Sequence, residues 1–232
     1  MHVEAKGNTS LCNTVEWARL RRNYLDRLID DIRRGLVDSD IVDLLDALNS
    51  VECIVTTSSC SGRIAVFAAP SPGNKRLGGI VHSWHRRINV DEFYTAIRTA
   101  LDTSYRFVWA SAQPVILALY TCSEAVAKLV VDVAVSAGFK YAFYRRASSG
   151  KYYVLILGVE RIDIPLSIGG KQIIPLSKEK LHDVVDVLNT YLTLAKSKLR
   201  RLKRAVATSI TVLKGSCEEA TLHRAQICND DH

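Results

Sequence analysis

A chain of 232 residues, 48% hydrophobic and 24% charged, has the make-up of an ordinary globular protein with material for one sizeable core or two small ones. No apolar run reaches the roughly 18 residues of a membrane-spanning helix, and MHVEAKGNTS lacks the basic head and apolar stretch of a signal peptide. A cytoplasmic protein without a membrane partner is expected, and its formal charge of +7 suits an anionic partner such as RNA.

From Val15 to Arg34, Trp17, Leu20, Tyr24, Leu28 and Ile32 recur at helical spacing, and Gly35 is a natural stop. Ser39 is placed to cap a second helix that carries Ile41, Leu44, Leu45 and Leu48 on one face. VECIVTT and IAVFAA then read as two strands joined by an SSCSG loop. PSPGNKRLGG is a Pro- and Gly-punctuated loop carrying Lys75 and Arg76. A strand IVHSWHRRI, a helix from Val90 to Thr103, and strands YRFVWA and PVILALY follow. A buried helix runs from Glu124 to Ala137 and ends at Gly138. After strand YYVLILGV, RIDIPLS reads as a strand end and surface turn. A long helix opens near Ser177, with Leu181, Val184, Val185, Leu188, Leu192, Ala195 and Leu199 as its apolar stripe. It closes on the basic KSKLRRLKR.

Shifting the sequence by 88 residues lays CIVTT on YAFYR, Ser61-Gly62-Arg63 on Ser149-Gly150-Lys151, and IAVFA on YYVLI. Two pseudo-repeats, near 38–69 and 126–157, therefore share the order helix, strand, Ser-Gly-basic turn, strand. The expectation is an α/β or α+β fold: a single compact domain over 1–214, with one mixed sheet built from the two units and flanked by helices. Residues 215–232 show no period and are expected to form a flexible tail.

Ser58, Ser59 and Ser61 offer three hydroxyls, and successive amides in such a turn form an anion-binding nest. Gly62 permits close approach to the backbone, and Arg63 forks onto a carboxylate or phosphate. A structural turn whose serines cap amides is the competing reading. A nucleophilic Cys60 would need its thiol activated, for which Arg63 stands nearby in sequence, but no protease or redox signature surrounds it, and a packing or pocket-lining role is preferred. In HSWHRR, alternation along a strand puts His82, Trp84 and Arg86 on one face and Ser83, His85 and Arg87 on the other. Without C-x-x-C spacing no structural zinc site is expected; Cys53 and Cys122 read as core thiols, and Cys217 is within reach of Cys228. No G-x-G-x-x-G stands between a strand and a helix, so an ordinary Rossmann cofactor site is unsupported.

TTSSCSGRI, the basic loop after it and Trp84-His85-Arg86 together resemble the tRNA wybutosine-synthesizing protein 3 family, in its archaeal form. Gln113-Pro114-Val115-Ile116-Leu117, Ala137-Gly138-Phe139-Lys140 and Ile164-Pro165-Leu166 extend the resemblance over roughly residues 38 to 200. It implies an unusual α/β or α+β fold, distinct from the ordinary Rossmann methyltransferase. It also implies methylation, dependent on S-adenosylmethionine, of N4 of 7-aminocarboxypropyl-demethylwyosine at position 37 of tRNA-Phe. A non-catalytic RNA-binding protein is the alternative.

Carried onto this chain, the resemblance makes Ser58, Ser59, Cys60, Ser61, Gly62, Arg63 and Trp84 the cofactor-binding set. His85 and Asp163 become the catalytic candidates. Lys75, Arg76, Arg86, Arg87, Lys196, Lys198, Arg200 and Arg201 are the expected contacts to tRNA. The chain departs from the family pattern at Ala118 and Ala142-Phe143.

Overall fold

In the computed structural model the described residues are Cys12, 14–71 and 78–227. In chain order they form α1 (Val15–Arg33), α2 (Val42–Asn49), β1 (Ile54–Cys60), β2 (Arg63–Ala69), β3 (Gly79–Trp84) and α3 (Val90–Leu101). β4 (Phe107–Gln113), β5 (Ile116–Thr121), α4 (Glu124–Ser136), β6 (Tyr141–Arg146) and β7 (Tyr152–Leu157) follow. β8 (Ile162–Ile168), β9 (Lys171–Gln172) and α5 (Lys178–Ile227) complete the order. By their contacts these residues group into two units. The first takes the chain up to Ser59, Ile116–Leu157 and Arg200 onward; the second takes Cys60–Val115 and Gly158–Leu199.

The first unit holds the sheet β1-β5-β7-β6. β6 and β7 form an antiparallel hairpin across a 3-10 turn, Ser148–Gly150, in which Ser149 has φ +62°. α4, capped by the Ser123 hydroxyl, packs on β6 and β7. Phe139, Leu117, Leu119 and Ile156 are fully buried. Two disulfides, Cys12–Cys122 and Cys53–Cys217, meet there, with the Cys12 and Cys53 sulfurs 3.6 Å apart. Cys53 and Cys122 are therefore not plain thiols, and Cys217 is bonded to Cys53; Cys228 lies outside the described residues.

The second unit holds the sheet β3-β2-β4-β8-β9. Its core gathers Ile64, Val66, Trp84, Phe93, Ile97 and Leu188, among others. Asn89 starts α3 with a capping box: its side chain accepts from the Glu92 amide, and Glu92 accepts from the Asn89 amide. The expected stripe of α5 is buried at Leu181, Val185, Leu188, Leu192, Ala195 and Leu199, with Val184 partly so.

The α/β or α+β class and most element positions agree with the sequence reading, but several local expectations are corrected. The strands lie in two sheets where one was expected, and β1 and β2 form no hairpin. β2 is hydrogen-bonded on both edges, to β3 and to β4, which leaves no edge for β1; β1 pairs with β5. The two pseudo-repeats thus share an element order but not a pairing scheme. From Ile162 on, RIDIPLS lies within strand β8, whose Pro165 sits where the β4 register shifts. Ile41 is the N-cap of α2 and makes no side-chain cap, so Ser39 does not cap the helix. Residues 215–227 continue α5 where a flexible tail was expected, and Cys217 within them is buried. Its disulfide to Cys53 anchors that segment in the helix.

Candidate functional site

The TTSSCSGRI motif passes from one unit to the other between Ser59 and Cys60. In the first unit, Thr56 to Ser59 belong to β1 rather than to a loop. Thr57, Ser58 and Ser59, with Tyr24, Arg27 and Asp31, line a cavity of about 190 Å³. Ser58 is exposed and Ser59 half-buried. Thr56 is turned inward, where its hydroxyl accepts from the Asn49 amide at 2.8 Å and its N–H donates to the Asn49 oxygen at 2.9 Å.

In the second unit the link between strands is only Ser61-Gly62. Gly62 has φ +92°, and a Cβ there would lie 3.2 Å from both the Ala195 Cβ and the Gln113 carbonyl oxygen. The residue serves close packing on α5 and β4. On that side Ala195 and Gln113 leave no room for a side chain.

Two hydrogen bonds flank this turn. The Lys196 Nζ donates to the Ser61 hydroxyl at 2.6 Å, and Ser61 is fully buried. The Arg63 Nε donates to the Gln113 Oε1 at 2.7 Å, and these two residues are also cross-strand partners. Cys60, the one free cysteine among the described residues, has its sulfur within 4.8 Å of a ring nitrogen of His85. His85 follows directly on β3, whose end at Trp84 stands opposite Ile64 of β2. Strand pairing in β3-β2-β4 thus brings together Cys60, Ser61, Arg63, His85 and Gln113, and α5 adds Lys196. Gln113 and the inward direction of Lys196 escaped the sequence reading. The signal for Gln113 was the register of β2 against β4, which sequence alone does not fix.

Other expected site residues lie elsewhere. Trp84 is 7% exposed and packs in the core with His82 tilted on it at 4.4 Å, so its role as a stacking surface for cofactor or base is corrected. The strand ends at Trp84, so the expected alternation through Arg86 and Arg87 stops there. Asp163 lies in β8, where Arg161 donates to it at 2.7 Å. Burial pushes its carboxyl up, but hydrogen bonds from Arg161 and Ser111 outweigh this and hold it below its ordinary range. A carboxylate held that low is a weak proton acceptor.

Among the expected RNA contacts, Lys198 is a correction: it is 12% exposed and paired at 2.5 Å with Glu160, itself 10% exposed. A cation so enclosed and paired is structural, not a phosphate ligand. Lys196 faces Ser61 rather than bulk solvent. Arg86 is exposed but pairs with Glu92 at 2.5 Å; its hydrogen bond, with that of the Asn89 amide, pulls the Glu92 carboxyl down to about 2. Arg87, Arg200 and Arg201 are exposed, Arg201 lying over Gly138. Lys75 and Arg76 lie outside the described residues. Arg63 differs from Arg86, Arg161 and Lys198 in that a neutral amide oxygen holds it, so that contact leaves its charge available for an anionic ligand.

The two departures from the family pattern meet in one cross-strand row, Ala118 on β5, Leu155 on β7 and Phe143 on β6.

Comparison with known proteins agrees with this architecture. Residues 19–208 match the family described as Methyltransferase TYW3. The chain is 36% identical over 184 residues to tRNA(Phe) 7-((3-amino-3-carboxypropyl)-4-demethylwyosine(37)-N(4))-methyltransferase 2 of Pyrococcus abyssi, covering 79% of this chain and 86% of that one. The Archaeoglobus fulgidus protein of the same activity is 33% identical, covering 82% and 93%. The solved PH1069 protein of Pyrococcus horikoshii superposes with a TM-score of 0.73 at 33% identity, over 82% of this chain and 95% of that one.

Proposed function

This chain belongs to the methyltransferase TYW3 family, and from that premise we propose that it methylates N4 of 7-(3-amino-3-carboxypropyl)-4-demethylwyosine at position 37 of tRNA(Phe). The observation that carries the reading is the extent of the match, which takes in 86% or more of each named relative. We place the reaction in the cytoplasm. Among the described residues no helix is long and apolar enough to cross a membrane. Disulfides inside cells are otherwise chiefly a feature of hyperthermophiles.

The methyl donor we assign is S-adenosylmethionine, which when bound supplies the methyl group from its sulfonium. The residues of the second unit fit its carboxylate end: Arg63 is a guanidinium held by a neutral partner. The substrate's aminocarboxypropyl arm carries a carboxylate of the same kind. The 190 Å³ cavity beside Ser58 and Ser59 is smaller than the roughly 300 Å³ of a typical whole-ligand pocket, so it takes a part of a ligand only.

In our reading Arg63 holds a carboxylate, Gln113 fixes the direction of the guanidinium, and Lys196 fixes Ser61. Orientation of this kind is the main contribution a protein makes to a displacement reaction. As N4 gains the new carbon bond, the proton it loses goes to His85, whose ring is near Cys60. Asp163, held in its ion pair, is the weaker candidate for that role.

The test is single-turnover methylation of tRNA(Phe) that carries the precursor base, followed by nucleoside analysis. Methyl transfer to N4 by the wild type supports the reading. Retention of tRNA without methyl transfer would favour a non-catalytic RNA-binding protein.

A further inference from the structure

We propose that the outer face of the sheet β1-β5-β7-β6 is a stacking platform for single-stranded nucleotides of the anticodon loop; the proposal rests on the tRNA reading above. Antiparallel partners share a face of a sheet. Three rows therefore lie together: Ile116–Leu157–Tyr141, Ala118–Leu155–Phe143 and Tyr120–Tyr153–Arg145. On this face α1 covers the β5 end through Tyr24, where Ala118 is buried, while the opposite face packs on α4. There Tyr144 and Tyr152 donate to the Glu124 carboxylate of α4 at 3.3 and 3.1 Å.

On the outer face Tyr141 is 60% exposed and Phe143 47% exposed, both on the edge strand β6. Such exposure gives little to folding, because the rings remain largely in water. Tyr153 and Tyr120 continue the aromatic surface, with ring centroids 5.6 Å apart, and Tyr24 of α1 lies 6.0 Å beyond Tyr120.

The charge on this face selects the occupant. The Arg145 guanidinium stands 5.3 Å over the Tyr153 ring, and the Lys151 ammonium 5.3 Å over the Tyr120 ring. The three rows contain no Asp or Glu. Two exposed rings for bases, with cations beside them for phosphates and no acid in the three rows, suit single-stranded RNA better than an apolar protein partner. An enzyme that acts on a base in a loop has neighbouring nucleotides to hold while that base is taken out of the stack.

The test is fluorescence anisotropy with a labelled tRNA(Phe) anticodon stem-loop at several salt concentrations. We expect Phe143→Ala and Phe143→Leu to raise Kd about tenfold, since both remove the π face, and Phe143→Tyr to change it by less than about twofold. Arg145→Gln should reduce the salt slope by about 0.7–1. Thermal melts and light scattering on each variant report fold and association state, and Tyr141→Ala serves as a second variant if Phe143→Ala melts early.

Phe143→Leu binding like wild type would show an apolar contact rather than stacking and would overturn the proposal. So would variants that change the association state while RNA affinity stays the same. If the wild type methylates tRNA(Phe) but Phe143→Ala and Tyr141→Ala bind the stem-loop normally, the platform fails while the enzymatic reading stands. A wild type that neither binds nor methylates tRNA overturns both.

Discussion

Replacing Gly62 by Ala tests how the turn at the site is held. The substitution meets two separate obstacles. At φ +92° an L-residue is disfavoured by about 1–2 kcal/mol. The new Cβ would also stand 3.2 Å from the Ala195 Cβ and from the Gln113 carbonyl oxygen, inside the 3.5–4.0 Å optimum for such atoms. Neither neighbour has a flexible end to swing away, so β4 or α5 must shift, adding about 1 kcal/mol. The expected total is about 2–3 kcal/mol, or a fall in Tm of about 5–10 °C for a protein of this size. Gly35→Ala is the internal calibration. Gly35 has φ +68°, and a methyl group there would meet nothing within 4 Å, so it carries only the conformational part, about 1 kcal/mol. Paired urea and thermal melts on both variants read the difference. The reasoning fails if Gly62→Ala is neutral, or if it costs no more than Gly35→Ala.

Lys198→Met alone should destabilise the protein by about 3–5 kcal/mol, because it strands the Glu160 carboxylate. The double change with Glu160→Leu should recover most of that loss in denaturant melts. Cys217→Ser opens a disulfide that spans 164 residues and should cost about 5 kcal/mol in the loop-closure account, read as a lower Tm under non-reducing conditions. Glu92 should titrate near pH 2 by carboxyl NMR, against an ordinary 4.5. Its folded pKa is depressed, so its stabilising contribution is full above the unfolded pKa of about 4.5 and is lost as pH falls toward 2. An unshifted midpoint would contradict the Arg86 pairing. Cys60→Ser should keep most methyl transfer, since Cys60 lines the site but carries no step; a dead variant would give the thiol a direct role.

Much of the fold was legible because periodicity reports burial. The stripe from Leu181 to Leu199 buries the side chains its spacing marked, Val184 only partly, and the helix expected over Glu124–Ala137 is present as α4, buried on one face. Strand partnership was not legible. SSCSG between two apolar runs reads as a hairpin loop, yet β2 already has β3 and β4 on its two edges. The C-terminal segment was misread for a related reason: Cys217 is anchored by Cys53, 164 positions away, and no local pattern carries that information. At the site, the residue types in Cys60-Ser61-Gly62-Arg63 and His85 were visible, while their partners Gln113 and Lys196 depend on register and helix phase. The family resemblance puts Trp84 in the cofactor-binding set, but the sheet turns it into the core.

The measurement closest to the central claim is methyl transfer from labelled S-adenosylmethionine to tRNA(Phe) bearing the precursor base, with wild type, Arg63→Ala and Arg63→Lys side by side. The account predicts N4 methylation by the wild type and a loss of at least about 100-fold in Arg63→Ala with its melt preserved. Arg63→Lys should recover little, because an ammonium cannot reproduce the forked contact. Full activity in Arg63→Ala would contradict it.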